Sequence, residues 1–355
     1  MEIAIVRRGD IMNIDGVNRF IAYLAEGLTR LSHKPVVVSR CRANTERKLE
    51  DWFAEFHGLD IKVPVITLRQ TPCKGDPWLK IAWDWYTKGS KILKKEGVDA
   101  AIVNGIIPLR LRPKIAVNHG VATFRASRLH IIAAKWLYRS YDRVVCVSNK
   151  LREEVRRTLG VDCVVVSLPL KLENYKPAPL DERENVIVHI GTGPVKNPHI
   201  SIEAVRILRK RGLLVRLVIV GPPANLPIGD FVDVKFSLSV KKTVELLCRA
   251  KALILPSAYE ALPYVTLEAM ACGTPPVVSS AVPEEVVADG VTGVRVSTYD
   301  AEDYANALER LLRDEELWRS LSNNAVKFVR RFDHVKVAST YVELIKQLYE
   351  RREGP

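Results

Sequence analysis

Residues 251–280 read KALILPSAYEALPYVTLEAMACGTPPVVSS. KALILP (251–256) is a short apolar run that ends in proline, the pattern of a strand buried on both faces. Pro263 stands where a first helical turn tolerates a missing N–H. Good helix formers follow to about 272, and Gly273 provides the stop. PPVVSS (275–280) is then a second strand. Strand, helix and strand in close succession make one βαβ unit, and such units build parallel sheets.

Working outward, the same alternation runs through the chain twice. In the first half, IAIV (3–6), PVVVS (35–39), AAIVN (100–104), KIAVN (114–118) and RVVCVS (143–148) read as buried strands, with a helix over about 17–32. In the second, NVIVHIG (185–191), LVRLVIVG (214–221), DVKFS (233–237), KALILP and PPVVSS repeat the plan, with helices near 199–211, 240–249 and 264–272. The fold class is α/β: two Rossmann-like, doubly wound domains facing a central cleft, with a C-terminal helical tail. The expected boundaries are 1–170 for the first domain, 171–185 for a polar linker with two prolines, 186–335 for the second, and 336–355 for a last helix able to cross back to the first. Ligands of such sheets bind beyond the carboxyl ends of the strands.

Composition agrees with a globular chain: 47% apolar and 27% charged residues, without low-complexity tracts. Arg7 and Arg8 follow the first strand at once and no apolar run approaches a membrane span, so a cytoplasmic protein without a signal peptide is expected. The six cysteines form no C-x-x-C pair and read as reduced packing residues. Two glutamines beside abundant Lys, Arg and Glu point to a thermophilic source. The net charge of +13 is local: residues 1–180 hold 31 bases against 18 acids, and residues 181–355 hold 23 of each. Between Asp99 and Asp142 there is no acid, while seven bases occur with Trp136 and Tyr138 among them.

Glu260 and Glu268 bracket the start of the 264–272 helix. The first-turn amides of Tyr264, Val265 and Thr266, behind Pro263, form an anion-binding arrangement at the sheet rim. A carboxylate gains nothing by charge beside a bound diphosphate, so each acid suits hydroxyl hydrogen bonds, which sugars and ribose offer in pairs. Spacing alone leaves a second reading open, in which Glu260 caps the helix and Glu268 is solvated.

PSAYEALPYVTLEAMACGTPPVVSS followed by VPEEVVADGVTGVRV resembles the donor-site signature of the retaining GT-B glycosyltransferases of family 4, with Glu260 and Glu268 as its E-x7-E pair. DGVNRFIAYLAEGL, VNHG, VVCVSNKLREEV, IGTGPVKNP and LVIVGPP resemble further family segments, so the likeness covers most of the chain. It implies transfer of a sugar from a nucleotide-diphosphate sugar with retention, without a metal or other cofactor. By the resemblance, Glu260 holds donor-sugar hydroxyls, Glu268 grips the ribose, and Tyr264 and Val265 meet the diphosphate. Lys196 neutralises the leaving group beside the turn of Gly191, Thr192 and Gly193, and Gly221 belongs to a second turn. Thr192 and Gly193 stand where the family commonly has an arginine. Asp15, Gly16 and Asn18 form the first glycine loop, and His119 lies near the anomeric carbon on the acceptor side.

The same fold serves nucleotide-sugar epimerases and catalytically weak sugar-nucleotide-binding relatives, which stay open as alternatives. Nucleic acid is excluded as a partner by the absence of any RNP, KH or zinc-finger pattern. Arg125, Arg128, Lys135, Trp136 and Arg139 suit an anionic membrane surface or an anionic acceptor, with peripheral placement on the inner face of the cell membrane. The expected partners are thus a nucleotide sugar and a sugar or lipid-linked acceptor.

Overall fold

The computed structural model describes residues 1–42, 47–72, 75–120, 128–226, 229–236 and 238–353. It divides into two units, Met1–Pro169 with Phe332–Pro355, and Leu170–Arg331.

The first unit runs β1 (Glu2–Asp10), α1 (Gly16–Arg30), β2 (Lys34–Cys41), α2 (Leu49–His57), β3 (Val65–Thr67), α3 (Trp78–Asp84), a π turn (Trp85–Gly89), α4 (Ser90–Lys95), β4 (Ala100–Asn104), β5 (Lys114–Asn118), α5 (Arg128–Tyr138), β6 (Arg143–Cys146), α6 (Asn149–Leu159) and β7 (Val164–Val165). Its sheet has the order β3-β2-β1-β4-β5-β6-β7, parallel throughout. The apolar runs form the strands because both faces of a parallel sheet are covered by helices. Right-handed crossovers put α1 and α2 on one face. The chain reverses direction across the sheet after β3, so α3, α4, α5 and α6 lie on the other. The switch point therefore falls between the carboxyl ends of β1 and β4.

The second unit runs β8 (Glu184–Ile190), α7 (Pro198–Lys210), β9 (Arg216–Val220), β10 (Val232–Lys235), α8 (Val240–Arg249), β11 (Ala250–Leu255), α9 (Tyr264–Ala271), β12 (Pro276–Ser279), β13 (Val294–Val296), α10 (Ala301–Arg313) and α11 (Glu315–Val329). Its parallel sheet has the order β10-β9-β8-β11-β12-β13, which sets its switch point between β8 and β11. The expected helical tail is three helices. Asp314 ends α10 and caps α11 through Leu317 N–H, and α12 (His334–Glu353) follows a short 3-10 turn and packs on α1 in the first unit.

Two expectations are corrected by packing. Residues 171–185 belong to the second unit and are tied into it: the buried Arg183 donates to the carbonyls of Ala178, Ala250 and Cys272 and to Thr274 Oγ1. Polar composition misread as a linker was the signature of a charged side chain stitching loops together. The cysteines are not reduced packing residues. Cys146 bonds Cys163, Cys248 bonds Cys272, Cys41 is also disulfide-bonded, and no described cysteine is free. Each assigned pair joins elements that are distant in sequence and adjacent in the fold, which spacing cannot reveal.

Candidate functional site

In the second unit, the carboxyl ends of β8 and β11 release the loops that carry Lys196 and Glu260. His189, near the end of β8, donates from Nε2 to the Gly191 carbonyl (2.7 Å), and Ser201 Oγ faces its Nδ1 (2.8 Å). Burial pushes the His189 pKa down to about 4, so the ring is a neutral brace for the turn. Gly191 has φ +111°, and a Cβ built there would lie 2.7 Å from Lys196 Cγ. The lysine side chain crosses the turn through the space that a side chain would fill. Gly221 plays the same part for Thr192, whose Oγ1 donates to the Pro222 carbonyl (2.8 Å). Nothing lies near Gly193, so no packing demand explains that glycine. Asn197 Nδ2 donates to the Pro256 carbonyl (2.9 Å) and Ala258 N–H to the Val195 carbonyl (2.8 Å), which binds the two loops to each other.

The outcome is an ion pair between Lys196 Nζ and Glu260 Oε1, with Glu260 buried and three residues ahead of Pro263, the N-cap of α9. Thr266 N–H donates to the Pro263 carbonyl (3.2 Å), so of the three amides expected to face an anion this one already has a partner within the chain. Glu268 is buried within α9, where Tyr175 Oη donates to its Oε1 (3.3 Å). It is not a solvated residue on a helix face. The helix ends as its sequence requires: Gly273 has φ +66° and donates to the Met270 carbonyl, and Thr274 N–H bonds Ala269. His189, Tyr175 and Arg183 were all missed by sequence reasoning. Only His189, polar within a strand of apolar residues, carried a signal.

In the first unit, the switch point holds Arg7, Asn104 and His119, with Arg7 and Asn104 directly paired in register on β1 and β4. Asp15 caps α1 by accepting from Asn18 N–H (2.9 Å) and pairs with Arg7 (2.5 Å). The positive end of α1, whose first residue is Gly16, therefore already faces a carboxylate. Asn18 is buried, and its amide donates to the carbonyls of Asp10, Ile11 and Asn13, so it shapes the loop from within. Asn104 Nδ2 donates to the Val6 carbonyl (3.1 Å), which turns its Oδ1 toward His119 Nε2 (2.8 Å). This network assigns the proton to Nε2 and leaves Nδ1 as an acceptor. Burial, and then the charge of Arg7, push the His119 pKa down to about 3. The edge of Phe20 completes the wall, 4.8 Å between ring centroids.

Of the basic segment, Arg125 lies outside the described residues, as does the side chain of Arg128, which opens α5. Trp136 and Arg139 are exposed and Lys135 is half-buried. Among the described residues no cluster of three His, Cys, Asp or Glu side chains is placed to hold a metal ion.

Residues 14–173 match the family described as Glycosyltransferase Family 4, and residues 171–328 match Glycosyl transferases group 1. A D-inositol 3-phosphate glycosyltransferase of Gordonia bronchialis is 28% identical over 58% of this chain and 53% of its own. An alpha-maltose-1-phosphate synthase of Mycobacterium tuberculosis is 31% identical over 47% of this chain and 51% of its own. The chain thus spans about half the length of the curated relatives it matches. Among solved structures, sucrose-phosphate synthase of Thermosynechococcus elongatus superposes with a TM-score of 0.78 at 18% identity, covering 99% of this chain and 100% of that one. The Anabaena protein HepE, solved in complex with UDP-glucose, gives 0.75 at 18% identity over 98% and 100%. At these identities the structures establish the fold, which is GT-B.

Proposed function

We propose a reaction for a chain that belongs, through both of its halves, to the GT-B glycosyltransferases of family 4 and group 1: a hexosyl group passes from a nucleoside diphosphate sugar to an acceptor hydroxyl, with the anomeric configuration kept and without a metal ion. The observation that carries this reading is the Lys196–Glu260 ion pair, set at the switch point of the second sheet and ahead of the α9 N-terminus. As the bond from the anomeric carbon to the diphosphate oxygen breaks, Lys196 offsets the charge that grows on that oxygen. Glu260, held by the same lysine, accepts from donor-sugar hydroxyls, and Glu268 from the ribose. The acceptor oxygen bonds the anomeric carbon, and its proton passes to the departing diphosphate. His119, neutral and with Nδ1 as an acceptor, takes a hydroxyl hydrogen bond on the acceptor side.

The acceptor is anionic in this reading, lipid-linked or phosphorylated, and is met at the cytoplasmic face of the cell membrane. The confinement of excess positive charge to the first half supports this. So do the names of two relatives, which contain a phosphate-bearing polyol and a phosphate-bearing sugar.

The test is a thermal-shift panel of nucleotides and nucleotide sugars, followed by transfer assays with the ones that stabilise the chain. A ligand at 100 times its Kd adds about 2.7 kcal/mol of stability. Stabilisation by one nucleoside diphosphate sugar, and transfer that Lys196→Ala slows on the order of 100-fold, are expected. Interconversion of the free nucleotide sugar without transfer would replace the reading with an epimerase.

A further inference from the structure

The groove between residues 177–180 and α11 takes no part in the site described above. It is a cavity of about 510 Å³, a size typical of small-molecule sites, and its whole lining belongs to the second unit. Residues 177–180 form one wall. On α11, Trp318, Ser322 and Val326 stand four apart and make the floor, the first two buried and the third half-buried. Arg319, Asn323, Lys327 and Arg330 stand four, four and three apart and make an exposed polar rim.

The groove is built in advance of any ligand. Trp318 Nε1 donates to the Lys251 carbonyl (2.7 Å), and the Arg183 guanidinium lies over the indole, 4.8 Å from the ring centroid. The same guanidinium holds the opposite wall through the Ala178 carbonyl (2.9 Å). One buried side chain thus sets both sides, and a site already fixed costs a ligand little ordering.

Its charge is one-sided. The ionisable residues that line it are Arg319, Lys327 and Arg330, all bases. Glu315 pairs with Arg319 (3.5 Å), whereas no acid lines the end held by Lys327 and Arg330. The matching ligand has a multiply charged anionic head for those two bases, a ring or alkyl body for the prolines and Leu180, and a hydroxyl for the Asn323 amide. A small organic phosphate monoester meets all three demands.

Both walls also bear on α9. A Cβ built on Gly273, just beyond that helix, would lie 2.9 Å from Ser322 Oγ and 3.2 Å from Pro177 Cβ. Ser322 Oγ donates to the Gly273 carbonyl (2.7 Å) and Arg183 to the Cys272 carbonyl (2.6 Å). Two residues before Pro177, Tyr175 Oη donates to Glu268 (3.3 Å). A ligand that touches both walls needs residues 175–180 seated against α11, which is the arrangement in which Tyr175 reaches Glu268.

We propose that this groove is an effector site for a small organic phosphate monoester, and that its occupancy tightens nucleotide binding on α9. The ester favours the state in which Glu268 is held, and the coupling is reciprocal. The site stands apart from the transferase reading. The coupling rests on that reading's assignment of Glu268 to the nucleotide, and the two are measured separately.

The full chain is titrated calorimetrically with phenyl phosphate, glucose 6-phosphate and inorganic phosphate. At least one ester is expected to bind about tenfold or more tightly than inorganic phosphate, through contact with the apolar wall and floor, and the two esters distinguish an aromatic body from a sugar. Lys327→Gln with Arg330→Gln lowers ester binding by about tenfold through loss of the charged donors. Val326→Trp, which fills the groove, lowers it as much, and an unchanged melting temperature in both variants checks the fold. With the ester saturating, the Kd of whichever of UDP and GDP binds falls by about fivefold in the wild type and in neither variant. The site is overturned if neither ester binds more tightly than inorganic phosphate, or if both variants bind it like the wild type. Ester binding that leaves the nucleotide Kd unchanged or raises it overturns the coupling. Ester binding beside no nucleotide binding at all removes the donor reading, and the coupling with it, and leaves the site.

Discussion

Gly191 and Lys196 share one space: the lysine side chain crosses the turn where a Cβ on the glycine would sit, 2.7 Å from Lys196 Cγ. The contact is with the root of the side chain, so Lys196 cannot keep its path if a methyl group is added. Gly191→Ala would also strain a backbone at φ +111°. The expected result is a loss of turnover on the order of 10- to 100-fold, as the ammonium moves off its mark, with the nucleotide affinity far less affected. Steady-state kinetics beside calorimetric titration of UDP and GDP would show this. Wild-type turnover in the variant would remove Lys196 from the reaction.

The two glutamates should separate by readout. Glu268→Ala is expected to weaken nucleotide binding, and Tyr175→Phe to do so more mildly, because Tyr175 orients one oxygen of that carboxylate. Glu260→Ala is expected to lower turnover more than affinity, since it frees Lys196 from its ion pair and removes a partner of the donor sugar. Removing Lys196 itself should cost on the order of 100-fold in turnover, the loss of one preorganised charge-stabilising group. Titration with nucleotide alone against titration with nucleotide sugar distinguishes the roles, and identical profiles for the two glutamate variants would contradict them.

The fold was legible because parallel strands buried on both faces leave unbroken apolar runs, and β4 and β5 were read to the residue. β3, β7 and β13 were not, being edge strands of three, two and three residues whose pairing is set by neighbours rather than by pattern. At the carboxyl edge of the second sheet, Pro263 and Gly273 were legible as the ends of α9 because caps and helix breakers act locally, whereas the roles proposed for Glu260 and Glu268 rest on the family likeness. Tyr175 and Arg183 were not legible, because a side chain that reaches across about 90 residues of sequence to its partner leaves no periodic trace.

Asn104 is expected to act on His119 rather than on a ligand. Its amide, fixed by the Val6 carbonyl, holds the imidazole in the Nε2–H form. Asn104→Asp replaces the neutral oxygen with a carboxylate, which favours imidazolium and raises the His119 pKa from its depressed value. Nitrogen chemical shifts of the ring would report Nε2–H in the wild type at neutral pH and a charged ring persisting to higher pH in the variant. An unchanged ring in Asn104→Asp would mean that the network does not set the tautomer.

The disulfides should be stabilising. Cys146–Cys163 closes a separation of 17 residues and Cys248–Cys272 one of 24, the latter joining α8 to the end of α9. A loop of this length is worth about 3 kcal/mol by the chain-entropy argument. Cys146→Ser and Cys272→Ser should each lower the denaturation midpoint, the two effects should add, since the bonds lie in different units, and reductant should lower the wild-type midpoint by at least as much as the double variant does. Reductant that leaves the wild-type midpoint unmoved would show that the bonds do not constrain the unfolded chain.

Acid stability is expected to fall through three histidines that are neutral when folded. Burial pushes His57 and His119 down to about 3 and His189 down to about 4, from an ordinary value of 6.5. Above pH 6.5 the folded and unfolded rings bind the same number of protons and the effect vanishes. As the pH drops below 6.5 the unfolded chain takes up protons that the folded chain refuses, so stability is lost. The loss grows by about 1.4 kcal/mol per pH unit for each ring, ends near pH 4 for His189 and continues toward pH 3 for the other two. His57 separates this from carboxylate titration, because it sits in an aromatic nest of Trp52, Phe53 and Phe56 away from the proposed chemistry. His57→Phe should flatten the urea-derived stability profile between pH 6.5 and 4 by about one ring's share while leaving turnover at neutral pH alone. A profile as steep as the wild type's would show that His57 is already protonated in the folded chain.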